Sequence, residues 1–360
     1  MTPVARAGDP QQPQRLRQHE WLRALIRETH LSASQLVMPL FVRPGKQIRA
    51  AIPSLPGQYQ FSIDPLVHEC QEVAAAGVPA ILLFGLADRK DDRASGAWAA
   101  DGLVQQAVRA IKSQLPRLLV MTDVCLCAYT THGHCRIVKY ARSSGLRARG
   151  KKPGKARPSA PSPQPPAETA DWIDREATLA TLAKIAVSHA QAGADVVAPS
   201  DMTDGNVVAI RAALDDAGHR GLPIMAYTAK YASALYAPFR QAVDSAPQFG
   251  DRRSYQLDPA NAIEALREAE LDIRAGADIL LVKPAIGYLD VVARLKQAFR
   301  LPVAAFNVSG EYAMVKAAAA RGWLSERPTW LEQLTGLKRA GADLLITYWA
   351  KDAAKWLRER

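Results

Sequence analysis

Four times along this chain an Ala-rich amphipathic segment ends in glycine and passes at once into a short apolar run: AAAGVPAILLFG at 74–85, AQAGADVVAPS at 190–200, IRAGADILLVKP at 273–284 and KRAGADLLITYW at 338–349. A helix closed by a left-handed glycine, then a strand buried on both faces, is the physical reading of each junction. Gly77, Gly193, Gly276 and Gly341 are therefore read as helix ends. Such junctions imply a parallel sheet with helices packed outside it. Further apolar runs at 36–42, 118–124, 223–228 and 302–309 bring the strands to eight. No GxGxxG follows any of them, so the pattern predicts an α/β fold of the (β/α)8 TIM-barrel type rather than an open doubly wound sheet.

Residues 1–30 read as an N-terminal extended arm and 31–360 as the catalytic barrel domain. The connections after the third and fifth strands are long and are expected over the C-terminal face, where such barrels carry their chemistry. The chain has 46 Lys and Arg against 35 Asp and Glu, a net charge of +11. Spread over a surface, that excess would suggest nucleic acid, but much of it is local. Eight basic residues and no acid lie between Lys139 and Arg157, and PSAPSPQPPAE follows. Residues 141–170 are accordingly read as a flexible, basic, Pro-rich insertion after the third strand, and nucleic acid is not expected as a partner. No apolar run is long enough for a membrane span or a signal core, so no membrane partner and a cytoplasmic location are expected.

Several strands end in reactive side chains: Asp123 and Cys125, Ser200 and Asp201, Lys230, Lys283, Ser309 and Tyr348. Lys283 follows ILLV inside an apolar strand. Desolvation there favours the neutral amine, which can attack a ketone, although a lysine paired with a buried carboxylate fits the same pattern. Lys230, just past an adjacent strand, would lower the pKa of Lys283 further by like-charge repulsion. Cys125, Cys127 and Cys135 lie within 11 residues, poor spacing for a disulfide framework. With no fourth cysteine nearby, three thiolates suggest zinc with one open coordination position, the alternative being cysteines packed as small hydrophobes. Cys70, on a helical pattern, reads as core. Arg240, Arg252 and Arg253 follow Lys230 in a long segment that could close over the mouth and hold a substrate carboxylate.

In these motifs the chain resembles the porphobilinogen synthase (5-aminolaevulinate dehydratase) family, of the zinc type. The likeness runs from about Arg15 to Leu357 outside the insertion and is carried by DVCLC, YTTHGHC, APSDMTDG, AYTAKYAS, GDRRSYQ, GADILLVKPAIGY and VSGEY. It implies condensation of two 5-aminolaevulinate molecules to porphobilinogen, with Lys283 and Lys230 each holding one as an imine. It further implies that Ser309 and Tyr348 bind one carboxylate and that Arg240, Arg252 and Gln256 bind the other. Cys125, Cys127 and Cys135 would ligate a catalytic zinc, with Asp123 and Ser200 at the reacting centre. Glu268 matches the ligand of an allosteric magnesium in some members, and the assembly implied is a homo-octamer with the arm embracing a neighbour. Arg136, Asn206, Gln60 and Ala237 depart from the family pattern, and Ala237, standing for glycine, is expected to restrict the hinge of the lid.

Two other readings compete. A class I aldolase-like barrel on another keto acid needs one imine lysine and no thiolates, so Lys230 and the cysteine triad speak against it. A catalytically silent paralogue recruited through its basic insertion would show salt-dependent retention on polyanions that is lost with residues 141–170.

Overall fold

The computed structural model describes residues 13–139 and 172–359. The insertion read at 141–170 and the first 12 residues of the arm lie outside them.

The eight apolar runs form β1 (Leu36–Val42), β4 (Ala80–Gly85), β5 (Leu119–Val124), β6 (Val196–Pro199), β7 (Met225–Lys230), β8 (Ile279–Lys283), β9 (Val303–Asn307) and β10 (Leu344–Thr347). They pair side by side in the order β6-β5-β4-β1-β10-β9-β8-β7, and every pair along that path is parallel. A parallel bridge between Val197 and Ile224 joins the two ends, so the sheet closes into the expected (β/α)8 barrel. Parallel strands covered on both faces must be apolar along their whole length, and β1, β4, β7 and β9 are buried throughout.

Helices α2 (Ile63–Ala75), α3 (Leu103–Gln114), α4 (Arg175–Ala192), α5 (Asn206–Asp216), α7 (Ile263–Arg274), α8 (Leu289–Ala298), α9 (Ser309–Ala320), α10 (Glu326–Ala340) and α11 (Ala350–Arg358) alternate with the strands. Gly193 and Gly341 cap α4 and α10 at φ +99° and +113°, and Gly77 and Gly276 turn at +88° and +97°. Any side chain would be strained there, which is why the recurring glycine marks each turn back toward the barrel.

Four details differ from the sequence reading. A small hairpin, β2 (Arg49–Ala51) with β3 (Tyr59–Phe61), was not expected; β3 lies along the end of β1, where Gln60 pairs with Phe41. Lys230 closes β7 instead of lying beyond it, and Ser309 opens α9 instead of sitting on a strand. Ala237 has φ −53° at the start of a short helix, α6 (Ala237–Ala242), so the expected hinge penalty does not arise. The arm includes a second short helix, α1 (Glu20–Leu25), on which Trp21 and Leu25 are 77% and 82% exposed.

Candidate active site

Lys230 and Lys283 end neighbouring strands and are paired in register, so both amines arise at one level of the barrel mouth. Together with Asp123, Ser200, Cys127, Arg252 and three aromatic side chains they line a single cavity of about 20 Å³. That space holds about one water molecule. Entry of any larger substrate therefore requires the overlying segment to move.

The Lys283 ammonium lies among aromatic rings, 4.3 Å from the Phe306 centroid, 4.8 Å from Phe239, 5.2 Å from Tyr227, 5.5 Å from Tyr236 and 5.8 Å from Phe84. Burial, followed by repulsion from Lys230, pushes Lys283 down to about 7. Near neutrality a large share of it is a free, nucleophilic amine. Lys230 donates to the Ser200 carbonyl. Burial pushes the Asp123 carboxyl up to about 6, opposed by the Ser200 hydroxyl and both lysines.

Cys125, Cys127 and Cys135 follow β5 and converge, with their sulfurs within 4.8 Å of one another and all three buried. Hydrogen bonds from the other two thiols, aided by Arg252 and Lys230, hold Cys135 well below the usual thiol range against its burial. Three convergent sulfurs, one already favoured as thiolate, form a soft donor set suited to a metal ion such as zinc. Cys70 lies apart in the core.

The segment between β7 and α7, read from sequence as a lid, lends Tyr236, Phe239 and Arg252 to the cavity and interlocks with the cysteine loop. Gln248 N–H donates to the His132 carbonyl at 3.0 Å, and Arg252 donates to the Gly133 and Ser245 carbonyls at 2.9 and 2.7 Å. The His134 ring bonds the Tyr255 hydroxyl at 3.1 Å and the Phe249 carbonyl at 2.9 Å. Gly133 has φ +72°, and a Cβ there would collide with the Ala246 backbone. From the loop after β4 and from β3, Lys90 pairs with Asp244 and Gln60 donates to the Ala242 carbonyl at 2.7 Å.

Buried polar atoms ordinarily find partners. Here Asp123 Oδ1, Arg240 Nε, Arg252 Nε, Tyr227 and Tyr348 hydroxyls and both amide atoms of Gln256 have none among the described residues. These are groups of the lid and barrel mouth that a polar, anionic ligand could satisfy. Ser309 is already engaged, accepting from Phe239 N–H at 3.1 Å and donating to the Leu235 carbonyl at 3.2 Å. Arg253, grouped from sequence with Arg240 and Arg252, is instead exposed beside Asp251.

Glu268 is on α7, half-buried, and burial followed by Asp272, Asp204 and Glu264 pushes it up to about 7. Among the described residues no second group of three metal-ligating side chains comes together, so Glu268 is not joined by two others. Arg136 donates to the Met202 carbonyl at 2.7 Å and stacks 4.4 Å over the Tyr255 ring, while Asn206 donates to Asp201 at 2.9 Å. Sequence reasoning missed the aromatic surround of Lys283, because its members come from separate strands and the lid. Their one visible signal was aromatic residues recurring beside the reactive strand ends.

The family model for delta-aminolevulinic acid dehydratase matches residues 10–148 and 166–356, leaving out the middle of the basic insertion. The delta-aminolevulinic acid dehydratase of Synechococcus elongatus is 51% identical over 345 residues, covering 96% of this chain and 98% of that relative. The Bacillus subtilis protein of the same name is 46% identical over 345 residues, covering 96% and 97%. The crystal structure of the Toxoplasma gondii dehydratase in complex with its reaction product porphobilinogen matches with a TM-score of 0.86 at 41% identity, covering 97% of this chain and 92% of that one.

Proposed function

The chain belongs to the delta-aminolevulinic acid dehydratase family, and from that premise we propose that it condenses two molecules of 5-aminolaevulinate to porphobilinogen, with loss of two waters, in tetrapyrrole and haem biosynthesis. It is a lyase. The observation that carries the mechanism is the register of Lys230 opposite Lys283 at the mouth of one cavity.

Lys283, with its pKa lowered to about 7, is the first nucleophile. Its nitrogen adds to the substrate ketone, the carbonyl oxygen leaves as water, and an imine remains. Lys230 forms the second imine from the adjacent strand. Asp123, at about 6 and with one oxygen free of partners, is suited to carry protons between the two substrates, and Ser200 orients it. Arg240, Arg252 and Gln256 hold one carboxylate from the lid, while Tyr348 and Ser309 hold the other. Ser309 must then share its hydroxyl between that carboxylate and its present partners in the lid.

Cys125, Cys127 and Cys135 fit zinc by their donor chemistry and convergence. When bound, zinc supplies a Lewis acid beside the amine of the second substrate. Glu268, in its acidic surroundings, is the proposed ligand of an allosteric magnesium. The assembly proposed is a homo-octamer, with the exposed Trp21 and Leu25 of the arm seated on a neighbour, in the cytoplasm. None of the described helices is long and apolar enough to cross a membrane.

Porphobilinogen formation tests this reading. Activity should vanish on chelation and return with zinc, and the Cys125→Ala protein should not recover. Full activity after exhaustive chelation would refute the zinc assignment.

A further inference from the structure

Tyr227 has no part in the mechanism above, and its position is unusual. It precedes Lys230 by three residues, and on a regular strand an odd separation puts two side chains on opposite faces. The register of β7 changes this. Ala226 pairs with Leu280, whereas Ala229 pairs with Val282, so β7 carries one extra residue between these pairs. A bulge of this kind re-aims side chains. Here Thr228 reaches α7, where its hydroxyl donates to Asp272 at 2.8 Å, while Tyr227 and Lys230 share the barrel interior.

The Tyr227 ring centroid is 5.2 Å from Lys283 Nζ and 5.6 Å from Lys230 Nζ. Among the described residues it is the one ring set against both amines. Its hydroxyl is buried and has no hydrogen-bond partner among those residues. The side chains whose charge acts on it are Asp123, Tyr348, Cys125 and Tyr236, all from the barrel mouth or the lid. Burial, then Asp123, holds it well above the usual phenol range, so it remains a neutral donor throughout the working pH range.

We propose that Tyr227 is a substrate-contacting residue whose hydroxyl donates a hydrogen bond to the ketone oxygen of the substrate presented to Lys283. The inference rests on the imine reading given above and deepens it. Such a donor polarises the carbonyl as the amine adds, and the free protein sacrifices no internal hydrogen bond to provide it. The β7 bulge brings the Tyr227 ring to the same side as Lys230, and Lys283 approaches that ring from β8.

The test compares Tyr227→Phe with the native full-length, zinc-loaded protein, using 5-aminolaevulinate. Borohydride-trapped adduct at Lys283 is followed by peptide mass spectrometry, alongside kcat and the melting temperature. Removing one donor to a developing oxyanion commonly costs about 10²–10³ in rate. Trapping rate and kcat should therefore fall at least about tenfold, while the melting temperature does not fall, since the hydroxyl has no protein partner to lose. Native rates in Tyr227→Phe would overturn the proposal, as would a rate loss matched by a fall in melting temperature. If the native protein traps substrate at Lys283 and Tyr227→Phe behaves identically, this proposal alone fails. If the native protein yields neither adduct nor porphobilinogen, the imine reading fails with it.

Discussion

At the scale of single residues, the proposed chemistry turns on an amine kept from its preferred charge. Lys283 sits at about 7 because burial and Lys230 both penalise its ammonium, and only the unprotonated fraction attacks a carbonyl. The initial rate of imine trapping should accordingly rise with pH through about 7 and level off above it; a rate flat from pH 5 to 9 would contradict the assignment. Lys283→Ala should abolish turnover and trapping, and retained activity would defeat the role. The depressed pKa also bears on stability. The folded pKa lies near 7 and the unfolded one near 10.5, so between those values the unfolded chain binds more protons and this group's contribution to stability rises with pH. Lys283→Met should therefore be inactive yet more stable than the native protein at pH 7, as read from urea melts. The gain is a few kcal/mol at most, since each tenfold displacement of a proton equilibrium is worth about 1.4 kcal/mol. The lysine was legible in the sequence because a charge inside ILLV has few explanations. Tyr227 was not, because strand alternation assigns it to the wrong face and no sequence rule reveals the bulge that corrects it.

At the scale of elements, the cysteine loop and the lid form one mechanical unit. Gly133 is the point of closest approach, at φ +72° against the Ala246 backbone. Gly133→Ala should cost about 1–2 kcal/mol in backbone conformation alone, besides the collision. It should loosen the lid, raising its sensitivity to protease and weakening zinc retention while the barrel stays folded; unchanged zinc affinity would show that the two parts move independently. The sequence announced each half, the cysteine spacing in one and the arginines in the other, but not their union through His134, Phe249, Trp172 and Tyr255. That cluster joins residues distant in sequence, and no local periodicity encodes it. The β2–β3 hairpin was missed for a different reason. Its strands have three residues each, and β2 is largely exposed, so they leave no apolar run to read.

At the scale of the whole molecule, the barrel was legible because parallel strands covered by helices write themselves as apolar runs, and the closing glycines mark where four of them begin. The basic insertion was legible as an interruption, and the family match breaks within it, between 148 and 166. The described chain on either side of it is held together by a bridge between Val138 and Ile173 and by the Asp174 N–H donating to the Ile137 carbonyl at 2.9 Å. Deleting residues 149–165 should therefore leave the melting temperature within about 2 °C of the native value, a change worth about 1 kcal/mol in a domain of this size; an unfolded product would show that the segment supports the barrel. The most direct test of the central claim is to map every borohydride-reduced adduct formed with 5-aminolaevulinate. The account predicts modification at Lys283 and Lys230, side by side on β8 and β7, and at no other lysine. Adducts on surface lysines alone, or none at Lys283, would contradict it.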